Sequence, residues 1–476
     1  MNTKKRIAQN TALQLLLQVF NLAAGFYSIS LIAKYLGSVS FGKYAFVSSF
    51  YFFFLTFLDF GITTLMLREV SAKRDQAGNL LSEFIVFKGG ISIALIAVAL
   101  TVVSFSPFPF DLKVAIALYA PVLLFIALES IQIIFEADLR MEYVVLASFV
   151  WRVVSLALVI AAVKLDWGLP AIILSFVAAE CCKWLCLYIF SRKLVQITFI
   201  VPTQLSRWIA FIKSSLPIGI TTLLITIIRN VDVMLLTKIK GFQEVGIYQA
   251  AYRLSDIGLT VPIALMASIF PLLSKYYKED ARALQATYQK TFDILAACGI
   301  LLVVLVLARS HEIVMLLFGV EFVRATGILK ILIFSSLWVY LGIVPGVLLV
   351  ATNRQKEEMW FYCIATALSI SLNFLLIPLY GGKGAAVANC TAMMVVVLLV
   401  IWRVHTALHV VLKLGRFTRA LCAGIVTLVV FLLFRKFSLL LVVPLGVVVY
   451  GVLLVAMNVI DKKDIMLLFW KKSITV

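Results

Sequence analysis

The residues with the most chemical potential in this 476-residue chain are polar ones set inside apolar runs. Asn10, Gln14, Gln18, Asn21 and Gly25 follow one another at spacings of three or four, so on a helix they line one face. Such a stripe suits a water-filled cavity, although hydrogen bonds between packed helices draw on the same residue types. A later run carries Thr222, Thr226, Arg229, Asn230 and Asp232. Counted from Ser214, Arg229 lies on the order of 20 Å along a helix rising 1.5 Å per residue, too deep for easy snorkelling. It is either a binding group or the neutralising partner of Asp232, three residues on. Asp59, Lys88, Glu129, Glu136, Arg152, Tyr248, Tyr252, Arg253 and Asp256 are also set in apolar surroundings, as are Glu180 and Lys183, which have the spacing of a self-compensating pair.

The elements that must position these groups follow from composition. Hydrophobic residues make up 63% and charged residues 14%, with a mean hydropathy of +1.08, too few polar residues to coat a soluble fold of this size. Apolar runs of about 20 residues, the length needed to cross a bilayer core, recur throughout. They lie near 7–33, 44–67, 84–104, 114–136, 144–163, 169–190, 214–237, 247–271, 292–317, 328–352, 359–378, 384–406, 417–434 and 438–457. Their length and their lack of two-residue alternation exclude a barrel. The expectation is an all-α integral membrane protein of about 14 transmembrane helices.

A net charge of +19 raises the question of nucleic acid, but its placement argues for topology instead. With a cytoplasmic amino terminus, roughly 25 Lys and Arg fall on cytoplasmic segments and roughly 11 on the other side. Lys4, Lys5, Arg6, Arg68, Lys73, Arg74, Lys275, Lys278, Arg282, Lys462, Lys463, Lys471 and Lys472 carry that bias, and the even count puts both termini in the cytoplasm. These cations also suit anionic lipid headgroups. Residues 1–33 read as a retained first helix rather than a cleaved signal peptide, being long, interrupted by amides and without a small-residue cleavage site. The seven cysteines all sit in apolar runs without metal-ligand spacing, so no metal site or cofactor is expected.

The chain repeats itself. Lys34, Gly37, Gly42 and Tyr44 are matched by Lys238, Gly241, Gly246 and Tyr248, at a constant offset of 204 (238 − 34). Ala137 and Arg140 echo Ala351 and Arg354 at 214 (354 − 140), and Gly168 echoes Gly384 at 216 (384 − 168). Six helices separate the copies, so both enter the membrane in the same direction, the arrangement of transporters built from two parallel repeats that alternate access between them. The expected domains are six-helix lobes over 1–202 and 203–407, with two accessory helices and a tail over 408–476. Leu205, Trp208, Ile209 and Ile212 have amphipathic spacing, repeated by Tyr277, Ala281, Leu284 and Tyr288, and suggest helices lying on the cytoplasmic surface.

Two motif matches carry no chemistry. Gly37 and Gly42-Lys43 imitate a phosphate-binding loop, but Tyr44 replaces the hydroxyl residue and no strand precedes it. Asp59-Phe60-Gly61 matches a kinase triplet inside an apolar segment. No loop exceeds about 25 residues, which leaves no room for a nucleotide-hydrolysing domain.

Leu58-Asp59-Phe60-Gly61 followed by Arg68-Glu69, the two Gly-x4-Gly-x-Tyr connections and Asp232-Val-Met-Leu-Leu resemble the polysaccharide-transporter branch of the multidrug/oligosaccharidyl-lipid/polysaccharide exporter superfamily, whose bacterial members include O-antigen-type flippases. The resemblance extends over essentially the whole chain. It implies a non-enzymatic flippase of the bacterial inner membrane, moving an undecaprenyl-pyrophosphate-linked oligosaccharide for surface polysaccharide biosynthesis, alongside a polysaccharide polymerase and chain-length machinery. On that reading Asn10, Gln14 and Gln18 offer amides to sugar hydroxyls, and Tyr248 and Tyr252, with Arg253 beside them, offer rings for stacking. Arg229, Arg152 and Lys88 are the candidate pyrophosphate ligands. Asp232, Asp256 and Asp59 are candidates for a coupling proton or sodium ion. A multidrug cation antiporter of the same superfamily would favour carboxylates over these cations, and a peptidoglycan-precursor flippase is a nearer alternative.

Overall fold

The computed structural model describes residues 3–138, 140–192, 205–352 and 354–459, so Lys193, Lys462, Lys463, Lys471 and Lys472 lie outside the described residues. No strand occurs among the described residues. The helices are α1 (Thr3–Asp59), α2 (Ile62–Ala72), α3 (Ala77–Phe105), α4 (Phe110–Tyr119), α5 (Pro121–Leu128), α6 (Ile133–Ala137), α7 (Met141–Lys164), α8 (Gly168–Ser191) and α9 (Leu205–Lys240). They continue as α10 (Phe242–Ile257), α11 (Thr260–Glu279), α12 (Ala281–Phe318), α13 (Ala325–Ala351), α14 (Gln355–Tyr380), α15 (Gly382–Leu408), α16 (Gly415–Leu433) and α17 (Leu439–Ala456). Helices satisfy their own backbone polar groups, as a segment inside hydrocarbon must.

Among the described residues, 12 helices are long and apolar enough to cross a membrane, or up to 13 if the bent pair Phe242–Met266 and Ile269–Glu279 is one span. The expected count of 14 is therefore approximate, and part of the difference is one continuous stretch. Phe20–Ala72 is 53 residues long and contains the second expected span with most of the first. A straight helix of that length would measure about 80 Å, far beyond the ~30 Å of a bilayer core. Gly37 divides it, with φ 67° and ψ 175° inside α1.

The repeat is written into the backbone. Gly37 and its equivalent Gly241 both adopt positive φ, 67° and 83°, which glycine accepts without a side-chain clash. A Cβ on Gly42 would strike the Phe242 carbonyl, and one on Gly246 would strike the Ser38 carbonyl. Positions 38 and 242 are themselves 204 apart (242 − 38), so the crossing is reciprocal, as a local two-fold requires. In the second echo, Arg140 N donates to Phe135 O at 2.8 Å and Arg354 N to Leu349 O at 2.9 Å, the same closure before α7 and before α14.

By packing, the chain divides into two compact units: Met1–Thr237 with Gly241–Gly246, and Lys238–Lys240 with Ile247–Val476. The first unit thus includes most of α9, whereas the lobes drawn at 202/203 follow sequence equivalence. In the first unit, Thr56 on α1 and Thr226 on α9 share a hydrogen bond at 2.9 Å. Met66, Phe84, Ile134, Phe135 and Leu187 form its buried cluster. Trp208 belongs there as well, stacked 4.6 Å from Phe87, so the amphipathic segment at 205–212 is no separate surface helix but the first turns of α9. The matching segment around 281 is also revised. Asp280 caps α12, its Oδ1 accepting from Arg282 N and Ala283 N, and splits the periodic pattern between α11 and α12.

In the second unit the accessory helices α16 and α17 pack on α12. Arg309, fully buried, donates to the carbonyls of Phe434 at 2.6 Å and Arg435 at 2.8 Å and pairs with Glu312 at 2.6 Å. The buried guanidinium thus ties two carbonyls just past the end of α16 to α12. Tyr450 on α17 donates to Ala297 O at 3.0 Å.

Candidate functional site

The intramembrane polar groups of the first unit fall into two sites. The first is held by α1 and α7. Phe20 and Phe149 pack at 5.1 Å, bringing these helices together one turn from Arg152. Gly25 then leaves space for the guanidinium: a Cβ there would lie 3.3 Å from Arg152 Nη1. The guanidinium also stacks on the Trp151 ring at 4.6 Å. Arg152 has no ion-pair partner among the described residues, and its Nε is buried without a hydrogen-bond partner. Trp151 Nε1 and Asn21 Oδ1 are buried too and find no hydrogen-bond partner among the described residues. Asn21 is one turn before Gly25 on the polar stripe, so Arg152 abuts the stripe that the sequence singled out. An Arg fork beside amides, without a carboxylate to neutralise it, can take a phosphate-like anion by bidentate hydrogen bonds.

The second site is a charge network. Lys88 on α3, 4% exposed, donates to Asp59 Oδ1 at 3.2 Å and to Thr63 Oγ1 at 2.9 Å, and Thr63 in turn hydrogen-bonds Asp59. The sequence assigned Lys88 to an anion and Asp59 to a coupling ion; the fold brings the two together, so each already has a counter-charge. Near them, Glu129 in the Glu129–Gln132 turn accepts from Lys183 on α8 at 2.5 Å. Lys183 thus serves both carboxylates: its direct hydrogen bond goes to Glu129, while it stays within electrostatic range of Glu180, the partner expected from the sequence. A spacing of three residues allows their contact, but the Glu129 carboxylate, 5% exposed, makes the stronger demand for a partner.

The other candidates are placed as follows. The side chains of Asn10, Gln14 and Gln18, on α1, lie outside the described residues. Arg229 is half-buried on α9. Asp232 is 1% exposed, with Oδ1 accepting from Val233 N at 2.7 Å. In the second unit, the Tyr248 and Tyr252 rings pack 6.0 Å apart, and Tyr248 is fully buried, which leaves Tyr252 as the more accessible ring. Arg253 is exposed and Asp256 half-buried. Sequence reasoning missed Arg309, whose signal was a lone arginine within the apolar run 292–317.

Comparisons with known proteins agree with this architecture. A family model described as polysaccharide biosynthesis protein matches residues 7–277, and a model for the MatE family matches 217–375. A capsular polysaccharide biosynthesis protein of Staphylococcus aureus, CapF, is 26% identical over 173 residues, 36% of this chain and 44% of that protein. A probable low-salt glycan biosynthesis flippase of Haloferax volcanii, Agl15, is 28% identical over 170 residues, 35% of this chain and 34% of that protein. Each alignment thus spans less than half of the curated relative. Among solved structures, a lipid II flippase, MurJ, in an inward closed conformation aligns with a TM-score of 0.77 at 14% identity, covering 96% of this chain and 100% of that one. An inward-facing multidrug resistance transporter of the MATE family gives 0.66 at 11% identity, covering 88% and 96%. At such identities the likeness is one of fold.

Proposed function

Since the chain belongs to the polysaccharide biosynthesis protein family and is a multi-pass membrane protein with the fold of flippases and exporters, we propose that it flips a lipid-linked oligosaccharide. The substrate is an undecaprenyl-pyrophosphate-linked unit for surface polysaccharide, moved across the bacterial inner membrane by alternating access, with both termini cytoplasmic. Polymerase and chain-length machinery would act on it afterwards. The observation that carries this reading is Arg152, a guanidinium within a membrane-spanning helix, with no carboxylate partner among the described residues and set against Gly25 on the amide-bearing face of α1. A polyprenyl tail stays in lipid, so the protein needs only a polar path for sugar and a cation for pyrophosphate. Arg152 supplies the cation and Asn21 the first amide of the path. Arg229, at the sequence position equivalent to Gly25 (229 − 204), is the counterpart in the second repeat. An uncompensated guanidinium would repel the cationic drugs carried by an antiporter of the same superfamily.

The test is surface glycan at matched protein levels in Arg152→Ala, Arg152→Lys, Arg229→Ala and Arg229→Ala/Asp232→Asn cells. A charge-assisted contact is worth about 1.5–3 kcal/mol, so Arg152→Ala should lose ~10-fold or more of flux and Lys should restore part of it. Normal glycan in Arg152→Ala removes the assignment. Normal glycan in the Arg229/Asp232 double variant makes that pair structural.

A further inference from the structure

The charge network in the first unit is one positive charge short of neutrality. Asp59, Glu129 and Glu180 supply three carboxylates against two ammonium groups, Lys88 and Lys183. The groups interact as one system: Lys88 pairs with Asp59 and lies within electrostatic range of Glu129, Glu129 pairs with Lys183, and Glu180 acts on both Glu129 and Lys183. The Glu129 and Glu180 carboxyls lie within hydrogen-bonding reach of each other. Yet Glu129 Oε1 and Glu180 Oε2 are buried and accept nothing from the described residues. Two carboxylates are both acceptors, so their contact becomes a hydrogen bond only when one of them carries a proton. Side by side and away from water, both cannot stay ionised at a tolerable cost.

We propose that Glu129 and Glu180 form a proton-binding site, holding one exchangeable proton between Glu129 Oε1 and Glu180 Oε2. Lys183, hydrogen-bonded to Glu129 Oε2, holds that carboxylate in place, and the exchangeable proton is carried by Glu180 and shared with Glu129. Lys88, already satisfied by Asp59, supplies no substitute charge. When the site opens to water on either side of the membrane, the proton passes to a water molecule and leaves an anionic network that must reload before closing. An intramembrane carboxyl that exchanges a proton in this way is the element by which a transporter draws on a pH gradient. The site itself does not depend on what is carried; its use to drive transport rests on the flippase reading.

The purified full-length protein in nanodiscs provides the test. Infrared difference spectra should show one carboxylic-acid C=O stretch that titrates with pH and is lost in both Glu180→Gln and Glu129→Gln. Glu180→Gln leaves the Glu129–Lys183 pair intact, so its spectrum is readable even if Glu129→Gln folds poorly, and Glu69→Gln on α2 should leave the band in place. A band that survives Glu180→Gln, or a wild-type protein with no such band at any pH at which it stays folded, overturns the proposal. In proteoliposomes, wild-type movement of a labelled polyprenyl-pyrophosphate saccharide should respond to an imposed pH gradient, and Glu180→Gln should lose that response. If wild-type protein moves no saccharide while the band behaves as expected, the flippase reading fails and the proton site stands.

Discussion

Lys88 and Arg152 are both cations within membrane-spanning helices, and replacing each with methionine should have opposite consequences. Lys88→Met removes two hydrogen bonds and leaves Asp59 without its counter-charge. Breaking a fully buried pair costs about 3–5 kcal/mol. The Asp59 side chain is 46% exposed, however, so the pair is only partly buried and about 1–2 kcal/mol remains. Arg152→Met removes no ion pair among the described residues. The stability at stake is its stacking on Trp151, about 0.5–1 kcal/mol, partly returned by methionine packing on the same ring. Thermal unfolding of the purified protein in one detergent, followed by circular dichroism of its helices, ranks the two directly. Lys88→Met should lower the midpoint more, and Lys88→Met/Asp59→Asn should recover most of the loss, whereas Arg152→Met should lie near wild type while losing transport. If Arg152→Met unfolds at a lower temperature than Lys88→Met, Arg152 is a structural cation and the reasoning that made it a ligand is wrong.

Two further outcomes are expected. Gly42→Val and Gly246→Val should each destabilise by about 1–3 kcal/mol, because each places side-chain atoms against a backbone carbonyl that cannot swing aside; equal thermal midpoints for wild type and both variants would mean that the reciprocal crossing does not form. Reporter fusions after Lys43 and after Lys472 should report opposite sides of the membrane, the first periplasmic and the second cytoplasmic, and the same side for both would contradict the charge-derived topology.

Much of the fold was legible because hydrophobic length and charge placement act locally. The repeat was legible for another reason: Gly37 and Gly241 are needed where the backbone takes positive φ, and Gly42 and Gly246 where a neighbouring carbonyl comes close, so geometry forces the same residue at both copies. The run of α1 through Gly37 was less visible, since a single glycine marks a bend or an end equally well in sequence. Partner choice was not legible. Lys183 and Glu180 are three residues apart, but the carboxylate that Lys183 meets is Glu129, 54 positions away in sequence. Lys88 and Asp59 likewise meet only after α1, α2 and α3 have packed. Burial of Trp208 and Tyr248 depends on neighbours that no periodicity encodes.

The proposed function is movement of a polyprenyl-pyrophosphate saccharide from one leaflet to the other. Its most direct test is a proteoliposome assay with a fluorescent substrate of that class, quenched by an impermeant reductant after a timed incubation. Wild-type protein should expose the inner-leaflet pool, and Arg152→Ala, equally folded and equally incorporated, should do so at least ~10-fold more slowly. Equal rates for wild-type, Arg152→Ala and protein-free vesicles would contradict the account.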